Sequence, residues 1–191
     1  GANDPSASAW GEGLNTEGNR HAWRGRPPSD ECDKVKDMNK KDLLKESVEH
    51  IDIKAFDATA IVDAMRKMSF TARDTARAGD ILSRMIEDKD CTIMLCIAGS
   101  TSAGGCMQVY IDMVRHNMVD AIVATGATIV DMDFFEAIGF RHYKGSPFVD
   151  DNKLRELYID RIYDTYIDEE QLQVCDETIK KIADRLEKRP H

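Results

Sequence analysis

No stretch of this chain approaches the roughly 18 uninterrupted apolar residues that a membrane-spanning helix requires. Its N-terminus has neither the basic start nor the hydrophobic run of a secretory signal. Membrane insertion and export are therefore not indicated, and a cytoplasmic location is expected. Basic excess is lacking too: 26 Lys and Arg against 35 Asp and Glu give a formal charge of −9 and a pI near 5.1. A nucleic-acid surface needs a basic face, so nucleic acid is not expected as a partner. CxxC spacing is absent. Cys32, Cys91, Cys96, Cys106 and Cys175 are odd in number and fit neither a disulfide frame nor a zinc site, so they read as buried or incidental thiols. Internal repeats and the G-x-G-x-x-G fingerprint are also missing.

What is present fits one domain: 191 residues, 42% of them apolar, are too few for two large cores. Residues 1–34 are rich in Gly, Ser, Asn, Pro and charge without apolar period, and read as a mobile tail. Residues 35–191 then form the domain. A Lys-rich helix is expected over 40–49. The run from Asp57 to Met68 places Ile61, Met65 and Met68 at helical spacing behind an Asp57 cap. A second amphipathic helix begins near Ser69 or Thr71 and ends about Asp88, with Ala76, Ile81, Leu82, Met85 and Ile86 inward.

The most informative stretch follows. An apolar strand over 92–97 empties into the small residues from Ala98 to Gly105. A helix over 105–117, with Val109, Met113 and Val114 inward, leads to a second strand over 121–124, which empties into Thr125, Gly126 and Ala127. Strand, small-residue loop and helix, repeated, describe two successive strand ends of a parallel α/β sheet. In such sheets the strand C-termini form a crevice where small residues admit a ligand to the backbone and helix N-termini offer N–H groups to phosphate. Spacing alone leaves open a dinucleotide site or a pair of tight turns. The two loops, Gly99–Gly105 and Thr125–Thr128, should lie side by side. A short helix over 131–138 with Gly139 as its stop, an aromatic turn-rich stretch over 141–151, short ordered pieces over 154–157 and 159–163, and a helix over 169–187 built on Leu172, Cys175, Ile179, Ile182 and Leu186 complete the chain.

The blocks Ser69-Phe-Thr-Ala-Arg, Cys91-Thr-Ile, the small-residue loop to Gly105, Asn117-Met-Val-Asp-Ala-Ile-Val-Ala-Thr-Gly-Ala, and Asp160-Arg-Ile-Tyr-Asp-Thr strongly resemble deoxyhypusine synthase and its bacterial and archaeal deoxyhypusine synthase-like relatives, in order over about residues 40–190. The resemblance implies a Rossmann-like fold and a tetramer of tight dimers with NAD bound between subunits. It also implies transfer of the aminobutyl group of spermidine to an amine. The acceptor is a lysine of the translation factor 5A precursor in the synthase proper, and a small polyamine in related enzymes.

The family's first dinucleotide loop falls on Gly99, Ser100 and Ala103, where eukaryotic members commonly carry Ser, Asn and Ser. Backbone N–H groups with Ser100, Thr101 or Ser102 are left to hold the cofactor. The second loop falls on Thr125, Gly126 and Ala127, and a family acidic position matches Asp131. That carboxylate reads either as a ribose ligand or as a helix-start charge favoured by the dipole.

His116 and His142 read as surface or packing residues. Asp160, Arg161, Asp164 and Thr165 read as a structural polar cluster built on Arg–carboxylate bonds, orienting the sheet edge or a neighbouring subunit, and Asp168-Glu169-Glu170 reads as a helix start. In the family the imine-forming lysine and most spermidine ligands lie in a second half, beyond a glycine-rich segment. The chain runs from Gly1 to His191 without that half, so a fragment, a truncated product or one piece of a split enzyme is expected, inactive by itself. Lys40, Lys41, Lys144 and Lys180 match no such motif and read as solvated charge, so no catalytic residue and no metal ligand is assigned. A non-catalytic partner of a full-length paralogue and an unrelated small-molecule module are the competing readings.

Overall fold

The structure is a computed structural model that describes residues 38–187. The expected tail over 1–34 and Cys32 lie outside the described residues. Two sheets organise the rest. Strands β1 (Met94–Ile97) and β2 (Ala121–Ala124) pair in parallel, Met94 opposite Ala121 and Ile97 opposite Ala124. The crossover between them is α4 (Met107–Arg115), entered through a wide π-helical turn over Ser102–Cys106. The start of β1 is fixed by Asp120, whose Oδ2 accepts from the Ile93 amide at 2.7 Å. A parallel pair with a helical crossover is what the alternating pattern predicts. The strand is shorter than expected, since Thr92 and Ile93 lie outside it.

The second sheet was not foreseen. Strands β3 (Tyr143–Lys144), β4 (Ile159–Ile162) and β5 (Thr165–Asp168) form an antiparallel sheet in the order β3-β5-β4. The aromatic stretch after Arg141 and the piece over 159–163 therefore belong to a hairpin and its edge, while the piece over 154–157 is the end of a helix. The two-residue Tyr143–Lys144 strand is too short for period-two alternation to announce it. The fold is mixed α/β, with a parallel element of two strands among the described residues.

Helix boundaries differ from expectation at three places. The Lys-rich helix is only α1 (Lys40–Leu43), capped by Asn39, because Glu46 and Val48 turn to bond with the β3 region: Lys144 N–H donates to Glu46 O and Val48 N–H to His142 O. Helix α2 (Thr59–Met65) starts after Ala58, with Asp57 Oδ1 accepting from Thr59 N at 2.9 Å. The helix expected from Asp131 begins earlier, as α5 (Gly126–Thr128), and continues through a π-helical stretch over Ile129–Phe134 into α6 (Phe135–Ala137), so Asp131 does not stand at the start of the run. Gly139 ends it with φ +105°. The remaining helices are α3 (Phe70–Glu87), α7 (Asp151–Glu156) and α8 (Glu169–Arg185).

The core sits where α5–α6, α8 and β5 meet. Phe135, Ile167 and Cys175 are its buried centre, and Val130, Phe134, Phe140, Ile162 and Leu172 pack around them. Cys175 Sγ donates to Val130 O at 3.3 Å, and burial, with Asp176 and Asp131 nearby, pushes its thiol up. It is a packing residue, as expected. Asp168 caps α8 through the Glu170 amide. Lys40 is not a solvated charge: its Nζ bridges Asp168 and Glu170 at 2.7 Å each and ties α1 to that helix start. Lys144 is the solvated charge expected, in an exposed pair with Glu46. Arg161 uses Asp151 as its carboxylate partner, at 2.6 Å from Nε, not Asp160 or Asp164. The polar cluster is structural, as read, but with a different counter-ion.

The expected inner faces of α2 and α3 are open. Ile61 is 63% exposed and Ile81 49%; Ile86, Met68, Val114, Ile182 and Leu186 are exposed as well. Periodicity identifies an apolar face but not what covers it, and among these helical residues only Ala76 is buried. Phe70, at 88%, joins that surface, as do Met94, Ile122 and Val123 of the parallel sheet. Apolar area of this kind beside open strand edges favours association. The chain should therefore self-associate, and sedimentation velocity showing one monomer with a sharp thermal transition would contradict this.

Candidate functional site

The two small-residue loops meet at the C-terminal edge of β1 and β2. β1 runs out at Ile97, and the chain bends at Gly99, whose φ of +78° is a left-handed conformation that glycine adopts without strain. β2 runs out at Ala124 into Thr125. Two contacts bind the strand ends together: Thr125 N–H donates to Ile97 O at 3.3 Å and Thr128 Oγ1 donates to Gly99 O at 3.2 Å; within the second loop the Thr125 and Thr128 hydroxyls lie 3.0 Å apart. The expected adjacency of Gly99–Gly105 and Thr125–Thr128 is what the structure has.

Within the first loop the hydroxyls have separate fates. Thr101 Oγ1 accepts from Tyr110 Oη at 2.8 Å, so it is held against α4. Ser102 is wholly buried, and its Oγ has no hydrogen-bond partner among the described residues. An unpaired buried hydroxyl costs about 1–3 kcal/mol. Ser100 is half-buried and Ala103 buried. At Gly105, φ is +102° and an added Cβ would stand 3.0 Å from Glu49 O, so only glycine lets residues 48–51 pass so near. Ile51 N–H donates to Gly105 O there at 2.9 Å.

Open space lies over the other glycines. A Cβ at Gly99, Gly104 or Gly126 would meet no atom within 4 Å. Gly126 stands at the first turn of α5, capped by Thr125, whose hydroxyl accepts from Thr128 N at 3.3 Å. The loops thus present an uncovered backbone cradle and a helix start, a donor set suited to a phosphate-bearing ligand.

Asp131 stands apart from this group of contacts. It lies near Asp176 of α8, and desolvation followed by repulsion from that carboxylate raises its carboxyl above the ordinary value. The structure therefore brings Gly99, Ser100, Thr101, Ser102 and Ala103 together with Thr125, Gly126 and Ala127, and sets Asp131 one turn further along, toward α8.

A second polar cluster escaped the sequence. Glu136 is buried and accepts two imidazoles: His142 Nδ1 lies 2.7 Å from its Oε1 and His50 Nε2 2.7 Å from its Oε2. His142, fully buried against the Phe135 ring at 5.1 Å, is the packing residue expected, but it is also one arm of this bridge. Burial works against ionisation of Glu136, yet the hydrogen bonds from His142 and His50 outweigh it and hold the carboxyl below its usual range. An apolar cavity of about 600 Å³ lies beside the cluster, lined by Met107, Ile111, Val114, Ile122 and Ala137 as well as Glu136 and His50, and by no loop residue. His50 and Glu136 are 86 residues apart, and no motif links them. His116 is exposed, as expected.

Among the described residues, no helix is long and apolar enough to cross a membrane, and no group of three His, Cys, Asp or Glu residues is placed to hold a metal ion. Comparison with known proteins supplies what the geometry does not. The family model described as deoxyhypusine synthase matches residues 60–191. The chain is 68% identical over 152 residues to a deoxyhypusine synthase-like protein of Coxiella burnetii, covering 80% of this chain and 43% of that one. It is 62% identical over 155 residues to a protein of the same description from Caulobacter vibrioides, covering 81% and 42%. It is 33% identical over 136 residues to a probable deoxyhypusine synthase 2 of Methanosarcina mazei, covering 71% and 39%. The chain thus spans less than half the length of the curated relatives it matches. With its paired strand-end loops and a family match over more than half its length, this chain belongs to the deoxyhypusine synthase family.

Proposed function

We propose that this chain carries the NAD-holding loops of a Rossmann-like, NAD-dependent aminobutyl transferase that takes spermidine as donor and an amine as acceptor. The acceptor is a lysine of a translation factor 5A precursor or a small polyamine. The observation that carries the reading is the uncovered cradle where Gly99–Ala103 meets Thr125–Ala127. When bound, NAD supplies reversible hydride acceptance. The chain's own residues do the holding: backbone amides at the start of α5 face phosphate oxygens, the half-buried Ser100 supplies a hydroxyl, and Asp131 receives a ribose hydroxyl. The activity proposed is that of the whole family protein, acting as an oligomer with the dinucleotide between subunits.

Titration of the chain with NAD, followed by saturation-transfer NMR and calorimetry, tests this. Gly126→Val is expected to fold normally, since a Cβ there meets nothing and the position has no left-handed φ, yet its branched side chain fills the space the dinucleotide needs. Asp131→Asn keeps its shape and loses a charge-assisted hydrogen bond worth about 1.5–3 kcal/mol. NAD affinity should fall further for Gly126→Val than for Asp131→Asn. Unchanged NAD binding by folded Gly126→Val protein would remove the loop from the cofactor site.

A further inference from the structure

Away from the loops, α2 and α3 enclose a groove whose walls are almost entirely guanidinium. Arg66, Arg73, Arg77 and Arg84 line it, with Ile81 the one apolar contributor and Asp80 the one carboxylate. The cause is visible in the sequence: on α3, positions 73, 77, 80 and 84 follow helical spacing and share one face, while Arg66 reaches across from the end of α2. From Arg73 to Arg84 the helix rises about 16 Å at 1.5 Å per residue.

Two of the four are already held. Arg66 pairs with Asp80 and, through Nε at 3.1 Å, with Asp63. Arg73 Nε donates to Met68 O at 2.6 Å, and its Nη2 lies 3.4 Å from Ser69 Oγ. Arg77 and Arg84 make no hydrogen bond or ion pair with any described residue, although Arg84 is near enough to Asp80 to help Arg66 hold that carboxyl below its usual range. Like charges at i and i+4 destabilise a helix, so Arg73 beside Arg77 is a cost to the isolated helix. In a chain of charge −9, a concentration of cations on one groove is the exception to the general charge balance. Its chemistry is specific: guanidinium forks match phosphate oxygens in two-point bonds, stay charged at any working pH and, being two turns apart, can each take a different group.

We propose that this groove is a binding site for a chain of linked phosphoryl groups, with Arg77 and Arg84, unpaired among the described residues, as its two prongs and Arg66 and Arg73 as its fixed walls. The phosphoryl chain comes from free inorganic polyphosphate or from the tail of a nucleotide. Among the described residues the groove has no aromatic wall to take a base, so the phosphates themselves carry the recognition.

Calorimetric titration of the full chain with sodium tripolyphosphate, orthophosphate and ATP, at physiological salt, tests the proposal. Saturable tripolyphosphate binding is expected, with orthophosphate weaker. Arg77→Gln with Arg84→Gln should weaken tripolyphosphate at least about tenfold, the loss of one charge-assisted bond. Arg84→Gln alone should lie between, and Arg185→Gln, at the far end of α8, should change nothing. Circular dichroism and thermal melting confirm that each variant is folded. ATP binding as tripolyphosphate does identifies the inorganic chain as sufficient, and tighter ATP binding identifies the nucleotide as the source. Absence of saturation, indifference to the double substitution in a folded protein, or tighter binding of a hexaglutamate peptide than of tripolyphosphate would each overturn it.

Discussion

Replacing Glu136 with Ala should cost the fold about 2–5 kcal/mol, since two buried imidazole nitrogens lose their hydrogen-bond partner at about 1–3 kcal/mol each. Both imidazoles lose their partner at once: His142 is fully buried and His50 largely so, and each already has one ring nitrogen, Nε2 and Nδ1 respectively, buried without a hydrogen bond. Urea unfolding at neutral pH would measure the loss. Glu136→Gln should be milder, because the amide keeps the shape and can still accept one hydrogen bond. The same residue sets an acid dependence. Its carboxyl is held below its ordinary value near 4.5, so it binds fewer protons folded than unfolded. The stability it contributes is complete above that ordinary value and is lost as pH falls through the depressed one. Wild-type protein should therefore lose stability on acidification below about pH 4.5 more steeply than Glu136→Gln. Parallel curves for the two proteins would show that the bridge is energetically idle.

Gly145→Ala should destabilise by about 3 kcal/mol, at the upper end of what overpacking costs. A Cβ at this position would stand within 2.5 Å of three ring carbons of Tyr166. That ring cannot step aside, since it is buried in β5 and its hydroxyl both accepts from Ser146 N–H at 3.0 Å and donates to Ser146 O at 2.9 Å. The clash is with the body of a fixed aromatic, not the end of a flexible chain. Thermal melting of the variant, with Gly104→Ala as a control where added bulk meets nothing, would reveal the difference. Equal melting temperatures would mean that Tyr166 can leave its place at little cost.

The sequence made the strand ends legible because their signal is local. Apolar runs before Ala98 and before Thr125, each emptying into small residues, needed no knowledge of distant chain to be read as neighbouring loops, and Gly139 as a helix stop was equally local. Gly105 belonged to the same small-residue run, but its reason for being glycine did not: it is the oxygen of Glu49, brought there by tertiary structure. The inward faces of α2 and α3 failed for a related cause. Ile61 and Ile81 keep perfect helical spacing, yet spacing is blind to whether anything lies opposite. The His50–Glu136–His142 bridge was invisible because each member is an ordinary polar residue until a separation of 86 residues is closed. Ser102 could not be told from Ser100 or Thr101 by type; only burial distinguishes it.

Residues 46–51 form a strap. They bond to Lys144, to His142 and to Gly105 in succession, with Ser47 bridging to Tyr143 and His50 reaching Glu136. Every one of these partners lies far downstream in the chain, whereas the β4–β5 hairpin and the α2–α3 pair join neighbours. Closing long loops is entropically unfavourable until several contacts form together, so distant pairings lag behind local ones. The strap should therefore be the last piece to lock during folding and the first to release its amide protons to solvent. Because Gly105 ends the small-residue loop, the cradle at the strand ends reaches its final shape only when the beginning of the domain comes back to meet it.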